Sequence, residues 1–224
     1  MAMDWPLLAS IPEDERRHFL ATARRRSFAR NEVVMHEGDP ADSLHLVESG
    51  RLAVRVSTPD GSVAMLNLLS RGDYFGELAL LRDASNKQRS ATVIALEPSV
   101  TCCITEGAFR ELRTRHPAVD HVVTALLVRR VEELSARLLE TLYLGLDRRV
   151  YRRLDELARL YAGEDSAAAV SVPLTQDHLA EMVGGTRQSV NQVLQRLATQ
   201  HVVELGRARV VITDRAALHR KAML

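Results

Sequence analysis

The 224-residue sequence predicts an α+β chain in three successive parts: a β-roll, one long helix, and a small helical domain closed by a strand pair. Three observations lead there. Glycines recur at Gly38, Gly50, Gly61 and Gly72, with the short β-rich segments LHLV, RLAVRV and VAMLNLL between them. A helical pattern then runs without interruption from His116 to about Leu144. From Leu174 onward the chain reads as two short helices followed by two strands around Gly206.

Taken in order, IPEDERRHFLATA is a short N-terminal helix, and the rhythm changes near Phe28. Turn signals at the interval of the four glycines indicate a compact sandwich or roll, and Pro59-Asp60-Gly61 is a clear hairpin turn. The stretch from His116 to Leu144 would span roughly 45 Å at about 1.5 Å per residue, long for a domain of this size. Within it Leu127, Val131, Leu134 and Leu138 follow the spacing of a heptad seam, which a parallel partner helix would bury. A helix packed on its own β-domain also wants apolar residues at this spacing, and Val122, Val123 and Leu126 could face the roll. Leu144-Gly145-Leu146-Asp147 is a hinge candidate, with glycine loosening the helix and Asp147 able to cap a new one. Helix resumes through RRVYRRLDELARLY, and Gly163 to Ala169 reads as a loop. The expected domains are therefore residues 1–115, 116–144 and 145–224.

Composition excludes several classes. At 46% hydrophobic and 26% charged residues the chain is an ordinary globular protein with enough length for one good core or two small ones. No apolar run approaches the roughly 20 residues of a membrane-spanning helix, and Met1 to Pro6 does not open a signal peptide, so the expected location is the cytoplasm. Cys102 and Cys103 are neighbours in SVTCCIT, a poor geometry for a disulfide. They read as small apolar fillers on opposite faces of a strand, with a redox sensor as the alternative, and an iron–sulfur cluster needs more thiolates than the chain has. From Arg148 to the end there are 12 Lys and Arg against 8 Asp and Glu, while the first 147 residues carry 18 against 21. The C-terminal third is thus mildly basic, as a segment meeting a polyanion would be. Lysine occurs only at Lys87 and Lys221, a bias that a GC-rich genome explains better than phosphate binding. No Ser/His/Asp or metal-ligand constellation is present, and no two histidines stand at the i, i+4 spacing of a helical zinc pair, so no enzyme is expected. His36 and His45 could meet inside the roll, but read better as surface or core histidines.

The most informative segment is GDYFGELALLRDASNKQRSATVIA, Gly72 to Ala95. A turn or short helix opening at Gly76 can aim backbone N–H groups at a phosphate, and Arg89 can add charge-assisted donors to the same anion. Gly76-Glu77-Leu78-Ala79 followed by Arg89-Ser90-Ala91 resembles the phosphate-binding cassette of the cyclic-nucleotide-binding domains found in CRP/FNR transcription regulators. The resemblance implies a cyclic-nucleotide-binding jelly roll (a double-stranded β-helix), with Glu77 holding a ribose hydroxyl and Ser90 adding a hydroxyl donor. It implies cAMP as effector, with cGMP or no ligand as alternatives. Two departures stand out. The loop from Arg82 to Gln88 is slightly longer than in the family's best known member, and Leu134 replaces the helix threonine that meets the adenine, with Ser135 adjoining it.

LTQDHLAEMVGGTRQSVNQVLQRL, Leu174 to Leu197, looks like the family's helix-turn-helix. Thr175 caps the first helix, Leu179, Ala180 and Val183 form its apolar face, Gly184-Gly185 makes the turn, and Thr186 caps the second helix, which Val190, Val193, Leu194 and Leu197 bury. That leaves Arg187, Gln188, Asn191 and Gln192 where side chains reach base edges in a major groove. VVELGRARVVIT then fits a wing with Arg207 and Arg209 near its tip. The family position of Arg187 contacts a guanine, whereas Gln188 and Gln192 stand where glutamate and arginine are usual. The resemblance covers Phe28 to about Thr213 and implies a homodimer on a palindromic double-stranded DNA operator, with RNA polymerase as a further partner. A DNA-free oligomerisation domain and a nucleotide-binding adaptor are the rival readings.

Overall fold

The computed structural model describes residues 5–81, 87–162 and 168–223, so the loops expected at 82–88 and 163–169 fall largely outside the described residues. The chain divides into two compact units, Met1–Glu132 and Glu133–Leu224, and the division falls within the long helix.

The first unit opens with a 3-10 turn, Pro6–Leu8, and helix α1, Glu13–Thr22. Strands β1 (Arg24–Phe28), β2 (Val33–Met35), β3 (Ser43–Ser49), β4 (Leu52–Ser57), β5 (Val63–Leu69) and β6 (Tyr74–Phe75) follow, then the short helix α2 (Glu77–Leu80), β7 (Thr92–Ala95) and β8 (Ser99–Thr105). They form two antiparallel four-stranded sheets, ordered β1-β8-β3-β6 and β2-β7-β4-β5. Side chains alternate across a strand, and here the first sheet is covered on both faces. Leu44, Leu46 and Ile104 join Trp5, Phe19, Phe109 and Val119 in a core on its helical side. Val47 and Phe75 join Met35, Leu52, Leu69 and Val93 from the second sheet to fill the roll.

The glycine rhythm has a backbone cause. Gly38, Gly50, Gly61 and Gly72 all have φ between 83° and 94°, a region that a Cβ disfavours. At Gly50 a Cβ would also lie 2.2 Å from Ser99 Oγ and 2.6 Å from the Pro98 carbonyl. Gly61 closes the expected hairpin, donating to the Thr58 carbonyl at 2.9 Å.

Helix begins earlier than expected. Thr105 caps a helix α3, Glu106–Arg115, its Oγ1 accepting from the Ala108 amide. His116 ends it, because the residue before Pro117 avoids the helical region and sits at φ −125°, ψ 80°. The long helix α4 then runs Ala118–Tyr143. Val119 and Val123 are buried against the roll, and Leu127, expected in the seam, packs on the same core. Further along, Val131 (63% exposed) and Leu138 (60%) are open to solvent, as are Val128, Leu134, Leu139, Leu142 and Tyr143.

In the second unit α5 spans Leu146–Tyr161, and its N-cap is Gly145 rather than Asp147. Asp147 lies two positions past the cap, inside the first turn, and pairs with Arg196 at 2.5 Å. Strand β9 (Val170–Val172) precedes α6 (Gln176–Val183) and α7 (Arg187–Thr199); β10 (Val203–Gly206), β11 (Arg209–Ile212) and α8 (Arg215–Met223) complete the unit. The sheet order is β10-β11-β9.

Cys102 and Cys103 are free thiols. Cys102 packs on the helical core, where burial pushes its thiol up and Glu48 adds to the effect. That is the setting of a filler rather than of a reactive thiolate. His36 is exposed, whereas His45 is buried. His45 bonds Thr101 Oγ1 through Nδ1 at 2.9 Å and stacks on Phe75 at 5.0 Å. Burial lowers its pKa to about 4, with Arg89 and Arg26 adding to the shift and Asp42 opposing it. A neutral histidine in the fold and a titrating one in the unfolded chain make the sign plain: stability is full above about 6.5 and falls as the pH drops towards about 4. Urea unfolding across that range should show the loss, and a flat profile would place His45 in a wetter site.

Candidate functional site

The first candidate site lies at the end of the roll. β6 ends at Phe75, and Gly76, with φ 92°, turns the chain directly into α2. The pocket beside this turn is lined by Tyr74, Gly76, Glu77, Leu78, Arg89 and Ser90, with Met35, Val54, Leu69 and Val93 as an apolar floor and Arg130 entering from α4. The cavity proper is small, about 80 Å³, and opens into a wider mouth. Ala91 also lines it, while the side chain of Ala79 is outside the described residues.

Arg89 is only 6% exposed. Its Nη1 donates to the carbonyls of Ser43 at 2.6 Å and Gly76 at 3.3 Å, and its Nη2 to Ser43 Oγ at 3.1 Å and Asp42 Oδ1 at 3.3 Å. A Cβ on Gly76 would stand 2.8 Å from Nη1, so glycine is what lets the turn and the guanidinium close together. Burial pushes the Glu77 carboxyl up, against the opposing pull of Arg130 and Arg89. The pocket thus sets a buried guanidinium, the Gly76 turn and a carboxyl beside an apolar floor. Tyr74 and Arg130 were missed in the sequence. Arg130 had a usable signal, since it stands one helical turn before Leu134. Leu134 and Ser135 belong to the second unit, where both are exposed.

The second candidate site is the helix-turn-helix. Thr175 Oγ1 accepts from the His178 amide at 3.1 Å while His178 Nδ1 faces the Thr175 amide, a reciprocal cap. Gly184 ends α6 with φ 63°, and Thr186 Oγ1 caps α7 through the Ser189 amide at 3.1 Å. Over the first two turns of α7, Arg187, Gln188 and Gln192 are exposed. Asn191 is half-buried and accepts from Gln176 Nε2 at 3.0 Å, so α6 holds it. Arg187 pairs loosely with Asp177 at 3.5 Å. Arg207 and Arg209 flank the wing turn, whose Ala208 has φ 54°. Both arginines line a groove with Thr175, Gln176, Asp177 and Arg187.

Two family models match this arrangement: the cyclic nucleotide-binding domain over residues 25–116 and the Crp-like helix-turn-helix domain over 148–221. The cyclic AMP receptor protein of Thermus thermophilus is 30% identical over 95% of this chain and 94% of its own length. The chain belongs to the CRP/FNR family of transcription regulators. A solved CRP-family regulator, also from Thermus thermophilus and 28% identical, aligns with a TM-score of 0.74 over 89% of this chain and 97% of its own. The c-di-GMP-responsive global regulator of Xanthomonas campestris shares the fold at 20% identity, with a TM-score of 0.78 over 90% of this chain and 99% of its own. As a CRP-family member the chain is a DNA-binding transcription regulator and not an enzyme. Among the described residues no helix is long and apolar enough to cross a membrane.

Proposed function

We propose that this CRP-family regulator works in the cytoplasm as a homodimer on a palindromic operator, alongside RNA polymerase, and that a cyclic nucleotide, cAMP first, controls its DNA binding from the roll pocket. The observation that carries this reading is the buried Arg89 guanidinium set against the Gly76 turn, with Glu77 in the same pocket. This chain keeps both residues of the pair, Glu77 and Arg89. In the proposed complex Arg89, Ser90 and the amides at Glu77 and Leu78 hold the phosphate, Glu77 holds the ribose, and Leu134 and Ser135 stand where the family reads the base. Binding would bias the long helices and the Gly145 hinge, and so the presentation of two recognition helices.

Leu134 supports a second reading, in which another ligand or none is the signal, because leucine can pack on a purine face but cannot read its edge. Calorimetry with cAMP and cGMP, repeated with operator DNA present, tests both. Tighter cAMP binding in the presence of DNA supports cAMP control. Equal binding with and without DNA means that the nucleotide is held but not used.

The dimer rests on the exposed stripe of α4, which nothing in a single chain covers among the described residues. Val131→Glu would bury a charge against its symmetry mate. It should raise the dimer dissociation constant by tenfold or more, about 1.4 kcal/mol. An unchanged mass in sedimentation, with the fold intact, would move the interface elsewhere.

A further inference from the structure

Arg89 is more heavily engaged than a phosphate clamp requires. Its Nη1 points at two backbone carbonyls, and its Nη2 at Ser43 Oγ (3.1 Å) and Asp42 Oδ1 (3.3 Å). Ser43 Oγ itself donates to Asp42 Oδ1 at 2.8 Å, so hydroxyl and carboxylate face Nη2 as one polar group. A bidentate clamp takes two adjacent N–H groups of the guanidinium, and any pair that includes Nη2 meets this group first.

The two partners are unequally held. The Arg89 side chain is 5% exposed and that of Asp42 is 88% exposed. The backbone of Asp42 is pinned, its carbonyl accepting from the Glu106 amide at 2.7 Å. The carboxylate can therefore leave by turning into water, without moving the strand. Burial weighs against the charge of Arg89, and Asp42 is the foremost of the neighbours that offset it.

We propose that Asp42 is a built-in competitor for Arg89, an internal anion that an incoming phosphate must displace, so that it sets the affinity of the pocket without touching the ligand. The proposal rests on the reading of this pocket as a phosphate site. Asp42 is then a positioning residue, acting through Arg89. An ion pair with one partner in solvent is weak, so the competition is a tuning device and not a lock.

The test is Asp42→Asn, which keeps the shape and removes the charge. The variant should bind cAMP about two- to fivefold more tightly than the wild type, and Asp42→Glu should restore the wild-type affinity. A purely supporting role for Asp42 predicts the opposite, a loss of affinity as Arg89 loses its brace, and that result would overturn the proposal. Inorganic phosphate provides a second probe that does not depend on the nucleotide. Its stabilisation of the protein against heat should be larger in Asp42→Asn, and the gain should vanish when Arg89→Ala is added. If cAMP binds neither protein while phosphate behaves in this way, the competitor stands and the nucleotide assignment fails. If both probes treat Asp42→Asn and the wild type alike, the competitor is wrong.

Discussion

Arg187→Ala should weaken binding to the best operator half-site by about 1 to 3 kcal/mol, and by about twice that on a palindrome read by two subunits. A guanidinium matches the O6 and N7 acceptors of guanine through two parallel bonds, the commonest specific contact in the major groove. The structure places Arg187 at the exposed start of α7, behind a threonine cap. Its ion-pair partner, Asp177, is 3.5 Å away, with both side chains more than half exposed. Such a pair contributes little, so releasing Arg187 to a base costs little. The neighbouring Gln188 and Gln192 carry amides suited to adenine, and preference at their base pairs should move towards A·T and loosen. Asn191 should matter less than its position suggests, because Gln176 already holds its amide. Selection from a randomised palindromic library, followed by binding of both proteins to single-base variants at fixed salt, decides the matter. A loss confined to sites carrying the guanine supports base reading. A uniform loss across all variants would make Arg187 a phosphate contact and change the register of the helix in the groove.

Arg89→Ala should lower cAMP affinity by tens to hundreds of fold, on the order of 2 to 3 kcal/mol for a lost charge-assisted contact in a buried site. The same change leaves the Ser43 and Gly76 carbonyls without their donor, so the roll should also melt at a lower temperature. Arg89→Lys separates the two effects: it retains a cation but not the planar fork, and should recover part of the stability and little of the affinity. Calorimetry read alongside thermal melting provides both quantities. A titration of Arg89→Ala that matches the wild type would remove the phosphate from this pocket.

The parts of this protein legible in the sequence are those with a local physical cause. Four glycines mark turns because their backbones need positive φ, whatever surrounds them. Thr175 and Thr186 announce α6 and α7 because a cap acts within three residues. Gly76, Glu77 and Arg89 stood out in the sequence as a glycine turn and an arginine close in the chain, and the structure brings all three to one pocket. The start of α3 at Glu106 carried the same signal, a Thr105 cap on the Ala108 amide, and was missed; the cap at Gly145 has no side-chain bond to announce it. Tertiary structure alone decided what meets what. Leu127 packs on the roll and Val131 faces water, although the two stand one helical turn apart, because the core ends between them. Asp42 and Ser43 reach Arg89 across more than forty residues of chain only because β3 and the cassette close one end of the same roll. Residue type and spacing determined which groups could bind an anion or a base; the packing of the two sheets decided which of them is already occupied by a neighbour.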